Sequence, residues 1–195
     1  MPFEERGEIS ARSSGQMLRK SRRRYESSQH LRFLTFSCYH QLPLFRNDAI
    51  KDDFARQIGK VRERLSVKIV AWVIMPQHVH LLIQPGSPSC TVGQFLHALK
   101  RPFGRRVLSR WQALEARKIL DRVTNSSGRR QFWQSGGGYD RNIISEEERL
   151  EKIQYIHQNP VRRGLVSRAA EWKWSSAGWY AGKRDEALVP VDVVL

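Results

Sequence analysis

The sequence predicts an α+β domain built on a ferredoxin-like antiparallel sheet of order β-α-β-β-α-β, with one further helix at its C-terminal end. Three observations predict it. β-rich runs at 30–39 and 67–84 alternate with two segments whose apolar residues recur every three or four positions. A third helical segment, 145–160, follows a turn-rich stretch. The length of 195 residues suits one domain with decorations, here 29–182, flanked by an arm at 1–28 and a tail at 183–195.

Each element has its own signal. The arm is polar and serine-rich, lacks any apolar period and ends in the basic cluster Arg19 to Arg24, so it reads as a flexible grip for phosphates. HLRFLTFSCY (30–39) alternates, with Phe33, Thr35 and Ser37 on one face and Leu34, Phe36 and Cys38 on the other. Asn47 or Asp48 caps a helix whose stripe is Ile50, Phe54, Ile58, Val61 and Leu65. VKIVAWVIM (67–75) and HVHLLIQP (78–85) are two strands of a hairpin broken at Pro76-Gln77. Thr91 caps a second helix carrying Val92, Phe95, Leu99, Phe103 and Val107, with a kink expected at Pro102. Its polar side holds Lys100, Arg101, Arg105, Arg106 and Arg110, of which Lys100, Arg101 and Arg105 are candidate DNA contacts.

Beyond it, ALEARKILDRV reads as a connecting helix and Asn125 to Gly128 as a loop. A short strand is expected within RQFWQS, and the glycines 136–138 form a turn, since no Gly-Lys-Ser/Thr follows that would make a phosphate loop. Ser145 caps the last long helix with Glu148 at the capping-box position, and Pro160 marks its end. Leu150, Ile153, Ile156 and His157 form its buried stripe, while Tyr155 and Asn159 stand one turn apart. Gly164 turns the chain, and Ser175 and Ser176 cap a final turn beside Trp172, Trp174, Trp179 and Tyr180.

The formal charge of +15 calls for a polyanionic partner, nucleic acid before an anionic membrane. No apolar run reaches the roughly 20 residues of a membrane span and the N-terminus lacks a secretory core, so a cytoplasmic location is expected. Cys38 and Cys90, far apart, make neither a disulfide framework nor a thiolate zinc site.

The chemistry concentrates at PQHVHLLIQP (76–85). On a strand His78 and His80 point to one face, and two imidazoles among aliphatic residues need a polar network or a metal. A third donor must come from a neighbouring element. Asn159 offers a neutral oxygen, and a His/His/Asn set with open positions suits Mg²⁺ or Mn²⁺ when a phosphate supplies the other oxygens. Tyr155, one turn before, would lie within reach of such a phosphate and could exchange one phosphoester for another, whereas an activated water would only hydrolyse it.

These residues also carry a resemblance. MPQHVHLLI resembles the histidine-hydrophobic-histidine (HUH) signature of the single-tyrosine transposases. YIHQNPVRRGLV (155–166) and EWKWSSAGWY (171–180) resemble motifs of the subgroup associated with repetitive extragenic palindromes, the REP-associated tyrosine transposases. The resemblance spans about residues 30 to 180 and implies an HUH domain with Tyr155 as nucleophile and His78, His80 and Asn159 around a divalent cation. It further implies cleavage of single-stranded, hairpin-forming DNA to a 5′-phosphotyrosine and a 3′-hydroxyl. A monomer is the expected state, against the shared-site dimers of related enzymes. Gln77 stands where Asn is more usual, and the connection from Trp111 to Arg130 is long for the family. Arg162 and Arg163, just past the nucleophile's helix, are further candidate phosphate contacts. A silent hairpin-binding protein and a water-using nuclease are the competing functions.

Overall fold

The computed structural model describes residues 30–87, 90–136 and 138–194; the basic arm at 1–28 lies outside them. Four strands, β1 (Leu31–Ser37), β2 (Lys68–Ile74), β3 (His78–Gln84) and β4 (Tyr139–Ile143), form one sheet in the order β2-β3-β1-β4, every neighbouring pair antiparallel. With α1 (Asp48–Arg64), α2 (Val92–Ala113), α3 (Arg117–Arg122), α4 (Glu146–Arg162) and α5 (Ala177–Tyr180), this is the predicted ferredoxin-like order.

The helices start where side chains satisfy their free amides. Asn47, not Asp48, caps α1 by accepting from the Ala49 N–H at 2.8 Å. Thr91 and Gln94 form a complete capping box on α2. α2 continues through Pro102, as its apolar stripe predicts. Proline has no N–H for the Ala98 carbonyl, and the Gln57 side chain of α1 donates to that carbonyl instead, at 3.2 Å.

The two faces of the sheet bury different layers. On one, Leu34, Phe36, Trp72, Val79 and Leu81 pack with Phe54 and Ile58 of α1 and Phe95, Leu99 and Phe103 of α2. On the other, Leu31, Phe33, Val73 and Leu82 meet Ile153 and Ile156 of α4. A register shift between Ile69 and Ala71 in β2 turns Val70 and Ala71 both into this second layer.

Three expectations are corrected. The strand expected in RQFWQS is instead β4, beyond the glycines; RQFWQS itself makes two isolated bridges, Arg130 to Thr124 and Trp133 to Cys38. YDRNI hides a strand because it lies at the sheet edge with half-exposed polar residues, one of which, Asp140, forms a buried ion pair with Arg32 of β1. Pro160 lies inside α4, which ends past Arg162, where Gly164 takes the left-handed φ of 65°. Leu150, expected in the buried stripe, is 55% exposed, since the stripe meets the sheet only from Ile153 onward.

The C-terminal part covers the β2 edge. The Ile74 N–H donates to the Trp174 carbonyl and the Ser176 N–H to the Trp72 carbonyl, and further on the Asp192 N–H donates to the Ile69 carbonyl. Ser176 therefore does not cap a turn: its hydroxyl accepts from the Trp72 N–H at 3.0 Å, while Ser175 accepts from the Ala177 N–H. Trp174 packs into the first layer and donates to Asp52, and the half-buried Trp172 donates to the Ile74 carbonyl, so both indoles help hold the C-terminal part in place.

Candidate active site

The alternation of β3 turns His78 and His80 to the α4 face, with ring centroids 4.6 Å apart. Both are buried, at 8% and 4% exposure. Thr35 stands directly opposite His80 on β1, and its hydroxyl meets His80 Nδ1 at 2.7 Å. Phe33, two residues earlier on the same face, stacks on the His80 ring at 5.6 Å. One side of the ring is thus held by a hydroxyl and a phenyl, while its other nitrogen, Nε2, is buried with no hydrogen-bond partner. A buried nitrogen without a partner costs about 1 to 3 kcal/mol.

Burial, the charge of Arg163 and its opposite, a bond to Asn159, leave His78 with a pKa near 4. Burial and the nearby His78 hold His80 at about 3, again against an opposing contribution from Asn159. Both imidazoles are therefore neutral, with lone pairs to offer, throughout the physiological range.

α4 crosses this face and supplies the rest. The Tyr155 ring lies 5.3 Å from the His80 ring and 5.9 Å from Phe33, both edge-on. One turn later Asn159 is buried, and its Nδ2 donates to the Tyr155 carbonyl at 2.9 Å, which leaves Oδ1 as the acceptor beside the histidines. Asn159 makes no well-formed bond to His80 Nε2, although its amide favours the charged form of both histidines. The Arg162 guanidinium lies 5.4 Å over the Tyr155 ring. Among the described residues no three His, Cys, Asp or Glu side chains cluster, so His78, His80 and the Asn159 oxygen are the groups that could hold a cation. The orphaned Nε2 fits that role.

The structure brings His78, His80, Tyr155, Asn159 and Arg162 together, with Arg163 beside them on the surface. Lys100, Arg101 and Arg105 lie elsewhere, on α2, lining a groove of about 560 Å³. Arg106 is drawn away from them into bonds with Asp53 and Gln57. His157 faces away from Tyr155, as expected from a spacing of two on a helix, and meets the Ser176 hydroxyl at 2.8 Å. Burial lowers its pKa to about 4. Phe33 and Thr35 as supports of His80 were absent from the sequence reading; their only sequence signal is the face they share on a neighbouring strand.

A histidine pair on a central strand of a ferredoxin-like sheet, closed by a tyrosine on the C-terminal helix, is the class that fold and site define. Residues 26–159 match the family described as "Transposase IS200 like", and the chain belongs to that family. It is 26% identical over 139 residues to the REP-associated tyrosine transposase of Escherichia coli (strain K12), covering 69% of this chain and 67% of that one. To the putative REP-associated tyrosine transposase of Haemophilus influenzae (strain ATCC 51907 / DSM 11121 / KW20 / Rd) it is 25% identical over 146 residues, 75% of this chain and 78% of the relative. The solved structure of a REP-associated tyrosine transposase bound to a REP hairpin superposes with a TM-score of 0.62 at 20% identity, over 89% of this chain and 90% of that one, a likeness of fold.

Proposed function

We propose that this transposase cleaves and rejoins single-stranded, hairpin-forming DNA through a covalent 5′-phosphotyrosine on Tyr155. The observation that carries the reading is the Tyr155 ring beside a buried, neutral histidine pair whose Nε2 on His80 has no protein partner. His78, His80 and the Asn159 oxygen would hold a Mg²⁺ or Mn²⁺ ion, which when bound polarises the scissile phosphate and favours the phenolate.

The chain's own groups do the remaining work. Tyr155 Oη attacks the phosphorus, the bond to the 3′-oxygen breaks, and the phenolic proton ends, through solvent, on the departing 3′-hydroxyl. One phosphoester replaces another. Reversal with a different 3′-hydroxyl therefore rejoins the strand without an external energy source. Arg162 holds the phenol ring by its face and offers its guanidinium to the phosphate, with Arg163 beside it. The hairpin as substrate is supported by the relatives' family and by the hairpin in the similar solved structure. The reading is of a monomer, and among the described residues no helix is long and apolar enough to cross a membrane.

The test is incubation with labelled single-stranded hairpin DNA and Mg²⁺ or Mn²⁺, resolved on denaturing gels beside Tyr155→Phe and the double His78→Ala, His80→Ala variant. A protein-DNA band formed by the parent alone is expected. Cleavage surviving in Tyr155→Phe would replace the reading with a water-using nuclease, and hairpin binding without cleavage by the parent would leave a silent binder.

A further inference from the structure

We propose that the groove between α2 and residues 129–135 is the track for the single-stranded DNA flanking the hairpin, and that this strand reaches the catalytic face past Lys100. The inference rests on the function proposed above and adds where the unpaired part of the substrate lies.

Charge is the first argument. The groove is lined by Lys100, Arg101, Arg105, Arg129 and Arg130, with no acidic residue in its wall. Among the described residues none of these five has a carboxylate within ion-pair distance. The same helix shows the contrast: Arg106, facing α1, is paired with Asp53. Five neighbouring cations without a carboxylate partner are the electrostatic footprint of a polyanion.

Continuity is the second. A smaller hollow of about 230 Å³ shares Lys100 and Ser135 with the groove and runs on to Thr35 and Tyr139. Thr35 holds His80, and the Tyr139 ring lies 6.0 Å from Phe33, so the hollow ends against the residues that support the histidines. β4 pairs with β1 only as far as Thr35, which places this opening at the end of their ladder. A hollow of about 230 Å³ is on the scale of a single nucleotide, so the occupant we assign is a single strand.

Lys100 stands at the junction. Its ammonium sits 5.4 Å from the Phe36 ring and 5.7 Å from that of Trp133, half-buried beside apolar faces. A cation in such a place gains more from an arriving phosphate than a fully hydrated one does.

The experiment measures binding by fluorescence anisotropy in the Tyr155→Phe background, so that cleavage plays no part. Three probes are used: a hairpin without flanks, the same hairpin with a flank of about ten unpaired nucleotides, and the flank alone, a length within the usual single-strand site sizes. The triple variant Arg101→Ala, Arg105→Ala, Arg129→Ala changes exposed side chains, and its unfolding midpoint is checked against the parent. The expected result is a tenfold or greater loss of affinity for the flanked hairpin and for the flank alone, with the bare hairpin held within twofold. The salt dependence for the flanked probe should flatten by about 2, at roughly 0.7 per single-strand phosphate contact. Equal losses on the bare and flanked hairpins, or no loss on either flank-bearing probe, would overturn the proposal. Absence of hairpin binding by the parent would instead overturn the proposed substrate, while the flank alone still reads the groove.

Discussion

The two faces of the sheet are built from the same four strands but carry different work. Toward α1 and α2 the layer is apolar, with aromatic rings of Phe36, Phe45, Phe54, Phe103, Phe132 and Trp133 in mutual contact. Toward α4 a smaller apolar layer gives way to His78, His80, Thr35 and Asn159. A face that is fully apolar can be packed to convergence. The other face has given up part of its core to hold polar groups whose hydrogen bonds the protein itself does not complete, and the cost of those groups is met by the packing on the opposite side.

That comparison breaks first on the core. Phe54 is fully buried against Phe36, Phe45, Phe103 and Trp133, so Phe54→Ala should lose about 3 to 5 kcal/mol in urea unfolding. Ile153→Ala, on the α4 face and 7% exposed, should lie near the low end of the 2 to 5 kcal/mol usual for such truncations. Equal losses would mean that both faces stabilise the fold alike.

The next effect sharpens the role of the α4 face. Thr35→Val keeps the shape and removes the hydroxyl that orients His80 through Nδ1. On the proposed reading it should weaken Mn²⁺ binding, followed by calorimetry, about 10- to 100-fold. Unchanged affinity would show that the ring is positioned by Phe33 alone.

The smallest concerns the clasp at the β2 edge. Burial acts to raise the Asp192 carboxyl, but the bonds from Arg62 and from the Ile69 N–H outweigh it and hold its pKa below the usual carboxylate range. A depressed carboxylate contributes stability above the unfolded pKa, near 3.9, and loses it as pH falls through the folded value. Asp192→Asn should therefore cost about 1 kcal/mol at pH 7, the partial exposure of both partners discounted, and almost nothing near pH 2. A difference that persisted at pH 2 would assign the effect to packing rather than charge.

Much of the fold was legible because it is local. Alternation announced β1, apolar runs announced β2 and β3, three-and-four spacing announced α1, α2 and α4, and Asn47, Thr91 and Ser145 cap where the sequence placed candidate caps. β4 was not legible, since an edge strand of five mostly polar residues carries no hydrophobic period. The helix was expected to run through Pro102, but the donor that satisfies the Ala98 carbonyl there was hidden, because it comes from Gln57 on another helix. Ser176 read as a cap, and only the arrival of β2 and His157 beside it gave its hydroxyl other partners.

The candidate site divides along the same line. By itself the sequence determined that His78 and His80 share a face, that Tyr155 and Asn159 share another, and that the chain is strongly basic, since each follows from spacing along one element or from composition. Tertiary structure alone decided that the two faces meet, that Thr35 and Phe33 hold one side of His80 while its Nε2 has no partner, and that Lys100, Arg101 and Arg105 join Arg129 and Arg130 in a groove apart from Tyr155. Those facts depend on register between strands and on which helix crosses which face, and burial and pairing of this kind arise only between residues far apart in the chain.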